Sequence, residues 1–203
     1  MQLKLHIRSI AAVIILLVFY GCQSQPAGAT SQVVKPLVKI DSDTSYPKHA
    51  PLTDEKLFRI FISKFKNAVK THNKAQLQAL FHFPLQTSPQ WSNEDLKNSA
   101  IDYNSGLISA TEFSVYYPDI FTKDAVKLVG ASGEDDLSEI DNTTTEDYYK
   151  KLMPLTDKGS TLYELEKQYT QNNGQETSFG FVFGKIKGAY KVLSYYRPWP
   201  LKD

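Results

Sequence analysis

Two glycine-containing turns near the C-terminus constrain the fold more than any other feature of this sequence. Asn173-Gly174 and Lys187-Gly188 are dipeptides of the kind that close tight hairpins, because glycine readily adopts the left-handed backbone such turns need. They separate three segments in which apolar and polar residues alternate, which is the period of a half-buried strand. These segments are TLYELEKQY (161–169), TSFGFVFGKI (177–186) and AYKVLSYY (189–196). The pattern predicts a three-stranded antiparallel meander.

The segment that begins at Thr53 has the periodicity of a helix. Its large apolar residues recur at spacings of three, four and one, which places them on one face: Leu57, Phe58, Phe61, Ile62, Phe65 and Val69. Thr53 or Asp54 can cap the helix N-terminus. A shorter helix is predicted from Asn73, and Pro84 in FHFPLQT is expected to end it and to lead into a strand. We interpret the aromatic stripe as core packing.

Two further short helices are predicted in the middle of the chain. Ser109 and Glu112 have the spacing of a capping box, and Pro118 is expected to end the helix that follows. Thr122 is expected to cap the next helix, which Gly130 would terminate.

The stretch 134–147 contains seven acidic residues and no basic one. An EF-hand loop beginning at Asp135 would place Glu146 at its twelfth position. Leu137 would then replace an oxygen ligand and Ile140 would replace the turn glycine, so the motif fails. The sequence predicts a solvated acidic loop here, with a loose divalent-cation site as the alternative. No metal site and no cofactor is assigned.

The N-terminus has the order of a bacterial export signal. Two basic residues precede an apolar run, Ile10–Tyr20, that is shorter than the about 20 residues a membrane-spanning helix needs. Gly21 then precedes Cys22, the only cysteine of the chain. This arrangement resembles the lipobox of bacterial lipoproteins. The resemblance implies that residues 1–21 are a cleaved signal peptide and that Cys22 carries acyl chains such as palmitate.

A lipid-modified Cys22 would hold the protein at a membrane of the cell envelope. In a Gram-negative cell that membrane would be the outer one, because Gln23 rather than aspartate follows the cysteine. Residues 22–52 are rich in Ser, Thr, Gln, Pro and Gly and are predicted to be a flexible tether. Residues 53–203 are predicted to form one domain. The net charge of +1 offers no electrostatic argument for a nucleic-acid partner.

Three stretches carry a recognisable order of helices and strands. They are FRIFISKFKNAVKTHNKAQLQALFHFPL, ISATEFSVYYPDIFTKDAVKLV and FGFVFGKIKGAYKVLSYY. Their order resembles that of small secreted bacterial domains with an NTF2-like (cystatin-like) fold, over residues 53–196. The resemblance implies an α+β fold in which N-terminal helices pack into the concave face of a curved antiparallel sheet. That face encloses a cone-shaped pocket, which some relatives use for catalysis and others for binding.

The strand residues expected to face this pocket are apolar or aromatic: Tyr163, Leu165, Phe179, Phe181, Phe183, Tyr190 and Val192. Such a lining offers no evident group to move a proton. The favoured interpretation is a non-enzymatic, membrane-anchored envelope lipoprotein that uses this lining to bind a small apolar ligand, a peptide or another envelope protein.

Two other interpretations stay open. The chain could be a ketosteroid-isomerase-like enzyme with His82, Asp102 or Tyr103 near the pocket mouth. Tyrosine pairs could instead form a homodimer face, since tyrosine is enriched at interfaces, although paired tyrosines also occur in half-buried cores. These pairs are Tyr116 and Tyr117, Tyr148 and Tyr149, and Tyr195 and Tyr196.

Overall fold

The computed structural model describes residues 52–89, 102 and 104–202. The predicted signal peptide, Cys22, the tether up to residue 51 and Tyr103 lie outside these residues. Within the described part, no helix combines the length and the apolar character needed to cross a membrane.

Helices and strands follow one another along the described part of the chain. The helices are α1 (Asp54–Lys70), α2 (Lys74–Leu80), α3 (Phe113–Ile120), α4 (Lys123–Ala131) and α5 (Asp147–Leu152). The strands are β1 (Phe81–Gln86), β2 (Leu107–Ile108), β3 (Leu137–Ile140), β4 (Leu162–Thr170), β5 (Glu176–Ile186) and β6 (Ala189–Tyr196). Short 3-10 turns at Glu134–Asp136 and Met153–Leu155 precede β3 and follow α5.

The first two helices are capped as predicted. The Thr53 hydroxyl accepts a hydrogen bond from the backbone N–H of Lys56, and the Asn73 side chain accepts one from Gln76 at the start of α2. The predicted apolar face of α1 is buried, apart from Leu57, which is only partly covered. The chain passes directly from α2 into β1, so a strand follows the helix as predicted. Pro84 does not end the helix, which stops at Leu80, and the proline lies inside β1.

Both predicted middle helices are present, but their ends differ from the prediction. Ser109 and Glu112 form the reciprocal bonds of a capping box: each backbone N–H donates to the other residue's side chain, at 2.9 and 3.3 Å. These bonds lie in a turn before α3, and the N-cap residue of the helix is Glu112 rather than Ser109. Pro118 lies inside α3 and does not end it. A single proline removes one backbone hydrogen bond, and the burial of Tyr117 and Ile120 on either side of it outweighs that loss.

Gly130 does not terminate α4 either. The helix continues to Ala131, and Ser132 is its C-cap residue. Gly130 instead lies against α1, where a Cβ at this position would be 3.0 Å from Cε of Lys70. The absence of a side chain on this glycine leaves room for the aliphatic part of the Lys70 side chain.

The acidic stretch is more ordered than the predicted loop. It contains β3, which pairs antiparallel with β4 along the edge of the sheet, and it ends where α5 begins. Leu137 and Ile140 explain this difference, because both are half-buried against the two hydrophobic cores while the residues between them face solvent. Among the described residues, no group of three or more His, Cys, Asp or Glu side chains is arranged to hold a metal ion.

The predicted meander of β4, β5 and β6 is confirmed, with antiparallel pairing throughout. The full sheet has six strands in the order β2-β1-β6-β5-β4-β3. It is mixed rather than wholly antiparallel, because β1 runs parallel to β6. Only strands joined by a tight turn are obliged to be antiparallel. A long connection separates β1 from β6 and leaves their direction open.

One face of the sheet carries the main core, to which α1, α2, α3 and α4 contribute buried side chains. The rings of Phe58 on α1 and Tyr163 on β4 stack with their centroids 3.8 Å apart. Further along the helix, Phe65 meets Phe181 of β5 edge to face at 5.2 Å. The predicted class, α+β with N-terminal helices packed on a sheet, is confirmed.

The opposite face of the sheet carries a second, smaller core beneath α5 and the 3-10 turn that follows it. Its buried members are Tyr148, Tyr149, Leu152, Leu162, Val182, Leu193 and Tyr196. A bulge in β6 helps to build it: Val182 is opposite Ser194 and Phe183 is opposite Val192, so Leu193 is an extra residue. Leu193 and Ser194 consequently both face α5.

Candidate functional site

The predicted pocket lining comes together on one sheet face but forms part of the main core. The residues concerned, Tyr163, Leu165, Phe179, Phe181, Phe183, Tyr190 and Val192, are 0–5% exposed. The aromatic side chains of α1 fill the space that the predicted cone would enclose. These side chains are therefore not accessible to a ligand in this structure, and their role in binding stays a prediction.

The tyrosine pairs do not form an exposed surface to which a second protein could bind. Five of the six rings are buried, and only Tyr116 is half-buried. A homodimer face built from these pairs would need rings that the structure places in its two cores. The pairs therefore contribute to packing, and the formation of a homodimer stays a prediction.

The residues of the enzymatic alternative occupy different settings. His82 is half-buried on β1, where burial, and then the nearby charge of Lys191, lowers its pKa below the usual 6.5. Asp102 is exposed and accepts a 2.9 Å hydrogen bond from the backbone N–H of Asn104. Tyr103 lies outside the described residues.

A buried carboxyl group lies in the second core and was missed by the sequence reasoning. Glu164 is 7% exposed, and its Oε1 accepts hydrogen bonds of 2.9 Å from the hydroxyls of both Tyr149 and Tyr196. Burial raises the pKa of Glu164 above its usual 4.5, and the two hydrogen bonds partly oppose that effect. Burial, and then the nearby Glu164 carboxylate, raise the pKa of Tyr149 and the pKa of Tyr196.

Strand alternation places Glu164 on this face, between Tyr163 and Leu165 of the main core. Gly180, on the adjacent strand, leaves room for the Tyr196 ring to reach the carboxylate. The sequence signal was present: a charged residue at an alternate position of an apolar strand, and glycines inside the neighbouring strand. That signal does not reveal that Tyr149 of α5 and Tyr196 of β6 donate the hydrogen bonds to Glu164.

A second hydroxyl pair ties α5 to the sheet. The Tyr148 hydroxyl and Oγ of Ser194 are 2.5 Å apart, and Ser194 donates a 3.1 Å hydrogen bond to the backbone carbonyl of Gln86. A serine hydroxyl has one proton, so Tyr148 is the donor in the first of these bonds. This chain of bonds joins α5, β6 and β1.

A mainly apolar cleft of about 340 Å³ opens beside this pair, between α5 and the strands β1, β2 and β6. Its apolar lining consists of Pro84, Leu107, Leu152, Leu155 and Leu193. Its polar lining consists of His82, Gln86, Tyr148 and Lys151.

Among the described residues, α5 and the turn that follows it form the cover over this part of the sheet face. Leu155, at the end of that cover, is 44% exposed. Glu164 is not among the residues lining the cleft, and its carboxyl group is instead bonded to Tyr149 and Tyr196.

Comparisons with known proteins concern the fold. No protein-family model matches the chain, and no curated protein is similar enough to match it. Among solved structures, a designed NTF2-like protein with five substitutions is 10% identical, with a TM-score of 0.34 over 71% of this chain and 99% of its own. A Xanthomonas campestris chain described as a calcium/calmodulin-dependent protein kinase II association domain is 15% identical, with a TM-score of 0.34 over 72% of this chain and 87% of its own. The α+β class rests on this chain's own helices and sheet.

Proposed function

We propose that this protein is a lipid-anchored, non-enzymatic protein of the cell envelope that binds a small apolar ligand. The binding site is the cleft between α5 and β1, and the existence of that cleft is the observation that carries the proposal. The side chains of the ligand site predicted from sequence are buried against α1, which supports placing an accessible site elsewhere.

The size and lining of the cleft favour a small molecule. A volume of about 340 Å³ is in the range of small-ligand sites, which combine an apolar wall with a few fixed polar groups. A stable protein–protein interface buries about 800 Å² on each partner, which is more surface than a cleft of this size offers. We therefore favour a small ligand over the peptide and envelope-protein partners that the sequence left open.

The walls of the cleft are held in place before a ligand arrives. Tyr148 is bonded through Ser194 to the backbone of β1, and Leu193 is fixed by the bulge in β6. A rigid lining loses little conformational entropy on binding. This arrangement suits a binding protein.

Membrane anchoring is proposed from the N-terminal sequence alone. An apolar run followed by Gly21 and Cys22 is typical of an export signal that is cleaved before a lipidated cysteine. Two or more acyl chains on one residue would hold the protein stably at a membrane, which a single chain does not.

The binding proposal is tested with the neutral fluorescent probe N-phenyl-1-naphthylamine and the purified full chain. We expect saturable binding that weakens at least about tenfold in Leu155→Asp, because a carboxylate would then lie against the apolar wall. Val115→Asp is the matched control, since Val115 is 68% exposed on α3. No binding by the wild-type chain, or equal binding by Leu155→Asp, contradicts the proposal.

The anchoring proposal is tested by metabolic labelling with palmitate in a bacterial host. Wild-type protein should incorporate the label and sediment with membranes, whereas Cys22→Ala should do neither. Label retained in Cys22→Ala would show that lipid is attached elsewhere or that the assignment is wrong.

A further inference from the structure

We infer that a basic face formed by α1, α2 and α4 is the surface that lies against the membrane and binds the anionic head groups of phospholipids. The inference rests on the membrane anchoring in the proposed function and adds the orientation of the folded domain. It follows from how charge is distributed over the described part of the chain.

Positive and negative charges are separated along the chain. The stretch 56–89 contains six lysine and arginine residues and no aspartate or glutamate, whereas 134–147 contains seven acidic residues and no basic one. The net charge of +1 for the whole chain does not show this separation. A surface of one sign attracts a partner of the opposite sign even when the total charge is small.

Four exposed lysines form the basic face: Lys64, Lys70, Lys74 and Lys127. Lys64 and Lys70 share the exposed side of α1, and Lys74 begins α2 four residues after Lys70. Lys70 also lies against Gly130 of α4, where a Cβ would be 3.0 Å from Cε of the lysine. Lys127 precedes Gly130 by three residues, which places it on the neighbouring turn of α4.

The charge of this face is not neutralised within the described part of the chain. No carboxylate there forms an ion pair with any of the four lysines. Nζ of Lys74 is 4.7 Å from the centre of the Tyr117 ring, and such a contact leaves the positive charge in place. Asp124 is the one acidic residue of α4, and it lies in the first turn of that helix. Four positive charges therefore outweigh a single negative one.

The acidic residues that meet α1 are grouped at its other end. Glu55 pairs with Arg59 at 3.5 Å, and Glu134 pairs with the same guanidinium group. Asp54, in the first turn of α1, pairs with Lys185 of β5. The start of the helix is therefore neutralised, whereas its C-terminal half presents positive charge to solvent.

The predicted tether brings this face within reach of a bilayer. It joins Cys22, the proposed site of lipid attachment, to Thr53, which caps α1. A flexible chain of that length has a root-mean-square span of about 30 Å. Because salt screens exposed charges beyond about 8–10 Å, the lysines act only when the domain lies on the surface. The anchor makes that contact frequent, since it raises the local concentration of the domain at the membrane.

Lysine side chains suit lipid head groups better than they suit a protein partner. Lysine is depleted in protein–protein interfaces, in which aromatic residues and arginine are enriched. Beside an anionic leaflet, in contrast, each lysine strengthens binding about fivefold. A lipid surface is therefore the partner that this face fits best.

The test measures cosedimentation of the purified full chain with phospholipid vesicles. The chain carries Cys22→Ala, so that no acyl chain on this residue contributes to binding. At low salt we expect at least about tenfold tighter binding to vesicles with about 30% phosphatidylglycerol than to pure phosphatidylcholine, and loss of that preference in about 0.5 M salt. Lys64→Gln combined with Lys70→Gln should reduce the preference at least about fivefold. The N-terminal residues are the same in every variant and do not account for a difference between variants.

The control removes two lysines near the opposite end of α1: Lys158→Gln combined with Lys187→Gln. Both side chains are exposed and lie next to Asp157, whose backbone N–H donates to Lys185, the partner of Asp54. This variant should keep the full preference for phosphatidylglycerol. An equal loss in both double variants contradicts the location of the basic face.

Absence of any preference for phosphatidylglycerol overturns the inference and favours an acidic protein as the partner of this face. Palmitate labelling of Cys22 measures the anchoring separately. The two measurements together therefore distinguish failure of this inference from failure of the proposed function.

Discussion

Gly180 on β5 and Tyr196 on β6 are directly opposite each other, and the tyrosine ring occupies the space that a side chain at position 180 would need. A Cβ at that position would lie 2.1 Å from Cζ of Tyr196 and 2.3 Å from its hydroxyl oxygen. The absence of a side chain on Gly180 is thus what allows Tyr196 to reach Glu164. The glycine, the tyrosine and the buried glutamate form one structural unit.

We expect Gly180→Ala to destabilise the protein by about 3 kcal/mol. The new methyl group would displace the Tyr196 ring, and overpacking of this kind costs about 1–3 kcal/mol. Loss of the Tyr196 hydrogen bond to the buried carboxylate would add to that cost. Urea unfolding followed by circular dichroism measures the change.

Gly133→Ala is the control for that measurement. A Cβ at Gly133 has no atom within 4 Å, and its φ of −106° suits any residue. Its free energy of unfolding should change by no more than about 0.5 kcal/mol. Equal effects of the two substitutions would contradict the role assigned to Gly180.

Glu164 should make the protein less stable as pH rises. Its pKa is about 4.5 when the chain is unfolded and is raised in the folded protein, mainly by burial. The folded state therefore binds more protons between these two pKa values, and the free energy of unfolding falls as pH rises through that window. Glu164→Gln cannot ionise, so the variant should lack this part of the pH dependence.

The pH effect is measured as urea unfolding at a series of pH values from 4 upward. Glu176→Gln, an exposed substitution at the start of β5, is expected to follow the wild-type curve. The same slope in Glu164→Gln and wild type would show that the buried carboxyl group does not titrate in this window.

Phe183→Ala tests whether the concave face is filled rather than open. Phe183 is fully buried and contacts the rings of Phe58, Phe61 and Phe65 of α1. Removal of such a ring from a packed core costs about 3–5 kcal/mol, whereas Val115→Ala on the surface should cost no more than about 0.5 kcal/mol. A loss below about 1 kcal/mol for Phe183→Ala would indicate an open pocket on this face.

The elements defined by local pattern were predictable from the sequence. Helix α1 and strands β4 to β6 have strong periodicity and clear turn residues, so their existence and pairing follow from neighbouring residues alone. Pro118 and Gly130 show where local rules fail, since neither residue ends its helix. At Pro118, burial of the neighbouring Tyr117 and Ile120 overrides the usual preference of proline.

The candidate site could not be read in the same way. It depends on the parallel pairing of β1 with β6, on the bulge at Leu193 and on the packing of α5 against the second sheet face. The first and third of these join residues that are far apart in the chain, and no local pattern records which distant strand or helix a segment will meet.

The amino-acid sequence by itself determined the periodic elements, the class of fold and the residues that would be apolar inside it. Only the tertiary structure decided which apolar face α1 would fill and which would keep an accessible cleft. The physical reason is that periodicity specifies which side of an element is buried, whereas the length and position of the element packed against it decide how completely that side is covered.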